Sequence, residues 1–136
     1  MSYAEYQKYF EDLAEKESNQ YDASSLDQIL LNIKNEKYGE TYQIWYSLAK
    51  KTTVEDVGWI LFEILESRKD YLTRYHCASA LLQLFSPKQD SFKAINLSGC
   101  DKSKLKENLQ LMEQRLIDKI GSRPEKRSFL RKLFRK

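Results

Sequence analysis

The residues that could do chemistry in this 136-residue chain are few, and their spacing argues against most reactions. His76 is its single histidine, and Cys77 follows it directly. On a helix, adjacent side chains point about 100° apart, so this pair does not form a nucleophile and its base. They read instead as a surface histidine and a small core residue. Cys77 and Cys100 are too sparse for a disulfide framework or a cysteine zinc site. Glu63 and Glu66 are three apart, the spacing of paired carboxylates, but acids so placed on an exposed helix face read as solvated charge. The chain has no glycine-rich phosphate loop, no HExxH and no GxSxG. A non-enzyme is expected, with no cofactor, no metal and no small-molecule substrate.

Helices must position whatever acts here. Four glycines and two prolines leave too few turn signals for an all-β architecture. Breakers at Gly39, Gly58, Pro87, Gly99, Gly121 and Pro124 separate segments with helical periodicity. Tyr3, Tyr6, Phe10 and Leu13 recur at three- and four-residue steps on one face of an amphipathic first helix that Ser18 to Tyr21 breaks. Ser24 or Ser25 caps a second, with Leu26, Ile29, Leu30 and Ile33 inward. A third, Thr41 to Lys50, is apolar over more than half its circumference. A fourth starts at Thr52 and Thr53, where Thr52 with Glu55, or Thr53 with Asp56, has capping-box spacing.

A fifth helix runs from Asp70 to Phe85, with Tyr71, Tyr75, Ala78, Leu81, Leu82 and Phe85 on its core face. Residues 86–101 hold a short helix around Phe92 and Ile95. A long helix follows through Leu105, Leu109, Met112, Leu116 and Ile120, capped by Gly121. Pro124 opens a last short helix through Phe134. The expected fold is all-α, a stack of seven or eight helices. Residues 1–121 form the stack, and residues 122–136 a basic amphipathic helix packed on it or extending from it.

The segment Asp70-Tyr-Leu-Thr73-Arg74-Tyr-His-Cys77-Ala78-Ser-Ala80-Leu81 resembles the second helix of a HEAT-type repeat, with Val54 to Ser67 as the first helix of the same unit. The resemblance covers residues 53–85. It implies a short HEAT-like α-solenoid in which Asp70 caps the helix, small residues let neighbouring helices approach, and Arg74 pairs with acids between repeats.

Two surfaces suit a partner. With Val54, Val57, Leu61 and Leu65 inward, Trp59 projects to the other side of its helix beside Glu55, Phe62, Glu63 and Glu66. Tryptophan is enriched among residues that dominate binding energy, and acids around it steer a basic partner. The alternative at this position is that Trp59 and Phe62 pack against the next helix. Nine tyrosines suit core edges and interfaces equally.

The second surface is the carboxyl-terminal segment. Phe129, Leu130, Leu133 and Phe134 share a face flanked by Arg127, Arg131, Lys132 and Arg135, a composition that suits nucleic acid, an anionic membrane or a partner's groove. The net charge of +3 belongs to this segment. Residues 122–136 carry seven Lys/Arg against one Glu, and residues 1–121 carry 16 Lys/Arg against 19 Asp/Glu.

A small, helical, mildly acidic body is similar to the bacterial immunity proteins of polymorphic and contact-dependent toxin systems. That likeness implies a cytoplasmic, non-catalytic module that binds and blocks a cognate toxin, whose basic domain an acidic face would occlude. The alternative is a helical adaptor held on nucleic acid or an anionic membrane by the basic segment. A helical regulatory or assembly subunit is a third reading. No stretch is long and apolar enough to span a membrane, and the acidic, tyrosine-rich start is unlike a signal peptide.

Overall fold

Each expected helix within the described residues forms, and the capping residues explain where most of them begin and end. The computed structural model describes residues 2–67, 70–85 and 102–123, which are all-helical apart from short connections. Six helices lie among them: α1 (Tyr3–Ala23), α2 (Leu26–Lys34), α3 (Gln43–Lys51), α4 (Val54–Ser67), α5 (Tyr71–Phe85) and α6 (Lys102–Ile120). The helices expected around Phe92 and after Pro124 lie outside the described residues. Among the described residues no helix is long and apolar enough to cross a membrane.

The chain divides into two units, Met1–Lys51 and Thr52–Lys136, at a point where the sequence shows no composition break. In the first, Ser2 caps α1 by accepting the Glu5 N–H at 3.2 Å. The helix then runs through Ser18 to Tyr21, where a break was expected. The reason is tertiary: Glu17 and Tyr21, on its last turns, are buried and held by the rest of the unit. Ser25 caps α2 in a full capping box, exchanging hydrogen bonds with Gln28 in both directions. Ile29, Leu30 and Ile33 form its buried stripe. Helix α3 packs on both α1 and α2 and buries Ile44, Trp45, Ser47 and Leu48.

The connection from α2 to α3 is tied down by one carboxylate. Glu17 accepts the Glu40 N–H at 3.0 Å from each oxygen, the Thr41 N–H at 2.8 Å and the Thr41 hydroxyl at 2.7 Å. Glu36, Gly39 and Tyr42 all have positive φ in this loop. At Gly39 a Cβ would collide with the Glu17 carboxylate, so only glycine allows that approach. Burial, together with the nearby Glu17 charge, pushes the Tyr21 phenol up.

In the second unit α4 is the central element, packed on α5 and α6. Gly58 lies inside α4, not at a break. A Cβ there would fall 2.9 Å from Leu116 Cδ2 and 3.1 Å from Val54 Cγ2, so the missing side chain lets α6 come close. The expected Thr52 and Glu55 box does not form, since the buried Thr52 hydroxyl has no hydrogen-bond partner. Asp70 caps α5, its Oδ2 accepting the Thr73 N–H at 3.1 Å and hydroxyl at 2.7 Å. Those two bonds, ahead of the nearby Arg74 charge, hold the Asp70 carboxyl below its usual range.

The core face of α5 differs from the expected one. Thr73, Cys77, Ala78, Ala80, Leu81 and Leu82 are buried, while Tyr71 is exposed and Tyr75 and Phe85 are half-buried. Small side chains bring α5 close enough for the Cys77 thiol to donate to the Leu61 carbonyl oxygen at 3.3 Å. The larger tyrosines stack on one another at the margin, ring centroids 6.2 Å apart. Helix α6 ends as expected: Gly121 has φ +98° and its N–H donates to the Ile117 carbonyl at 2.9 Å.

Candidate interaction surface

The Trp59 cluster is assembled by the structure, but as an interior. Trp59 is 6% exposed and Phe62 1%, their rings in edge-to-face contact at 5.8 Å. Of the two readings the sequence left open for these rings, this is packing inside the protein, not a surface presented to a partner. Val54, Val57, Leu61 and Leu65 do face inward, but Gly58 draws α6 onto another side of α4, and the helix is buried over most of its girth. An amphipathic reading assigns one core face to a helix, and α4 packs against two neighbours.

The acids around the cluster are engaged within the same unit. Arg123, just past the α6 cap, forms ion pairs with Glu66 and with Glu113, the latter at 3.3 Å. Its guanidinium also lies 5.2 Å from the Phe62 ring centroid and 5.8 Å from that of Trp59. Burial works against its charge, but Glu66, Glu113 and Glu63 outweigh this and raise its pKa. Glu55 and Lys119 approach at 3.9 Å with both side chains about half exposed, an ion pair of little worth to stability. Arg127, Arg131, Lys132 and Arg135 lie outside the described residues. His76 is half-buried against the Tyr75 ring, and desolvation lowers its pKa.

Among the described residues, the largest aromatic surface left open is elsewhere, on the first half of α1. Tyr3 is 83% exposed, Tyr6 54%, Tyr9 51% and Phe10 37%. The rings are ordered against one another: Phe10 meets Tyr6 at 4.8 Å and Tyr9 at 5.7 Å, both edge to face. Tyr3, Tyr6 and Phe10 continue the helix face that buries Glu17 and Tyr21 further on. That face is covered only where its neighbours reach. Helix α1 has 21 residues and α3 nine, or about 31 Å against about 13 Å at 1.5 Å per residue.

The polar contacts from α1 to the rest of its unit are likewise made by its last turns. Besides Glu17, Asp22 accepts the Ser47 hydroxyl at 2.7 Å and pairs with Lys50 at 3.3 Å. The Ser47 bond, with Lys50 and Lys51 nearby, lowers the Asp22 pKa.

Tyr3, Tyr6 and Phe10 share the apolar face expected of an amphipathic first helix, and the structure leaves this half of it open. One signal separates this half of the stripe from an ordinary core: it is built almost wholly from tyrosine, whose hydroxyl tolerates water, where α2 uses leucine and isoleucine. Among the described residues, no three His, Cys, Asp or Glu side chains gather where they could hold a metal ion. The chain matches no protein-family model, no curated protein and no solved structure.

Proposed function

We propose that the protein is a cytoplasmic, non-catalytic protein-binding module, and that it acts as an immunity protein that binds and blocks a cognate bacterial toxin. The observation that carries the binding reading is the Tyr3, Tyr6, Tyr9 and Phe10 ridge on α1, four partly or largely exposed aromatic rings. Aromatic residues are enriched at the centres of interfaces because they bring large apolar area at low conformational cost. The immunity reading rests on likeness of fold and composition. The short HEAT-like stack inferred from residues 53–85 and the mildly acidic residues 1–121 support it. Asp70 capping α5, and the small side chains of α5 packed against α4, are what a HEAT-type unit requires of those positions.

The test is affinity capture from the native organism by the full chain, beside a Tyr6→Ser, Phe10→Ser variant, at about 0.15 M salt where loose charge pairing is screened. One stoichiometric protein should be retained by the wild type and lost by the variant. That protein, assayed for its own toxic activity, should be inhibited by the chain at equal concentration. Capture without inhibition overturns the immunity reading. Recovery of nucleic acid or lipid alone, lost when residues 122–136 are removed, would transfer function to the basic segment.

A further inference from the structure

We infer that the α1 ridge is the docking face for a cationic amphipathic helix of a partner protein, bound lengthwise along the first three turns. The inference rests on the ridge being the protein-binding surface and adds the chemistry of what binds. Shape comes first. Tyr3, Tyr6 and Phe10 form a row along the helix axis, with Tyr9 widening it on one side. Such a row matches the i, i+3, i+7 apolar stripe of a second helix, and helix against helix is the usual way to cover it.

Charge selects the sign of the partner. At about 100° per residue, Glu5 borders the Tyr9 edge and Glu11 lies beyond Gln7 on the opposite edge, so an acid flanks each side of the ridge. Lys8 falls on the back of the helix, and Lys16 lies past the ridge's carboxyl end, beside Glu15 and buried Glu17. A helix with Lys or Arg along both margins of its apolar stripe would meet Glu5 and Glu11, while an acidic one would be repelled by both. A second copy of α1 is the less suitable occupant, because it would bring its own Glu5 and Glu11 to the same margins.

The ridge also has the ordered construction that binding favours. Phe10 is held between Tyr6 and Tyr9, so the partner meets rings that already support one another and less side-chain freedom is lost on binding. The helix beneath is anchored at its far end by Glu17 and Asp22, while every residue from Ser2 to Asp12 is exposed.

The experiment uses the full chain and two labelled fourteen-residue helical peptides with the same leucine stripe, one with lysine and one with glutamate at the remaining positions. Fluorescence anisotropy at 0.15 M salt should show the lysine peptide binding at least fivefold more tightly than the glutamate peptide. Tyr6→Ser with Phe10→Ser should weaken the lysine peptide at least tenfold without shifting thermal unfolding. Glu5→Lys with Glu11→Lys should abolish or reverse the preference between peptides.

Equal binding of both peptides, still lost in the aromatic variant, overturns the cationic partner but leaves the ridge as an interface. Lysine-peptide binding unchanged in the aromatic variant overturns the ridge itself. Sedimentation velocity supplies the remaining arm: a dimer abolished by Tyr6→Ser with Phe10→Ser would make a second copy the occupant and overturn the proposal.

Discussion

Glu17 holds Thr41 through two short hydrogen bonds, 2.8 Å from the backbone N–H and 2.7 Å from the side-chain hydroxyl, across 24 residues of chain. One carboxylate of α1 thereby fixes the start of α3 and sets the course of a loop with three positive-φ positions. Bonds to a charged acceptor are about twice as strong as neutral ones. Glu17→Gln keeps the shape but turns an N–H₂ group toward N–H donors. It should cost about 2–3 kcal/mol, read as a lower urea midpoint with an unchanged slope. A change below about 0.5 kcal/mol, the range of a surface substitution, would show that the loop holds itself.

Trp59 and the α1 ridge should respond oppositely to truncation. Trp59 is buried beside Phe62 with Arg123 over it, so Trp59→Ala should lose about 3–5 kcal/mol. Tyr6→Ser removes a side chain more than half exposed and should change stability by no more than about 0.5 kcal/mol. Thermal melts of the two variants decide between core and surface at each site. Equal melting temperatures would contradict the packing described.

At Gly58 the space belongs to α6. Leu116 Cδ2 and Val54 Cγ2 stand where a side chain would begin. Gly58→Leu should overpack the α4 and α6 contact and cost about 1–3 kcal/mol. Gly58→Ala sets a gain in helix propensity of about 1 kcal/mol against a tight contact with a flexible leucine tip, and should be nearly neutral. Denaturation midpoints of the pair, ordered wild type, alanine, leucine, would establish the close approach. A stabilised Gly58→Leu would refute it.

His76 gives stability a dependence on mild acid. Desolvation lowers its pKa from 6.5 in the folded chain, so below that value the unfolded state takes up the proton more readily. Stability is then full above about pH 6.5 and falls as pH drops toward the folded pKa. His76→Gln cannot titrate, and its loss of stability between pH 7.5 and 5.5 should be smaller than that of the wild type. Parallel losses in the two proteins would assign the effect to other groups.

Arg123 fastens the residue pair after the α6 cap to Glu66 and Glu113. Its side chain is one-fifth exposed, so part of that attraction is screened by solvent. Arg123→Ala should cost about 1 kcal/mol, and less at 1 M salt, where the Debye length shrinks to about 3 Å. A loss that salt does not reduce would mean that its packing over Phe62 matters more than its charge.

Helix type, and most helix ends, follow from the order of the residues alone. Ser25 with Gln28, Asp70 with Thr73, and Gly121 after Ile120 are local devices whose partners lie within four positions, so periodicity and capping spacing reveal them. The small residues of α5 are legible only through the resemblance to a HEAT-type helix, since periodicity alone puts Tyr71, Tyr75 and Phe85 on its core face. What a helix face touches is not local. Trp59 is interior on a helix that packs against two neighbours, and the approach of one of them, α6, depends on a missing Cβ at Gly58 meeting Leu116, 58 positions on. Tyr6 and Phe10 carry the same stripe as any core helix, yet stay open because α3 is shorter than α1. The sequence determined which side chains share a face. Only the tertiary structure decided which faces found cover, because cover depends on the length and approach of a neighbour that the periodicity of a single helix does not encode.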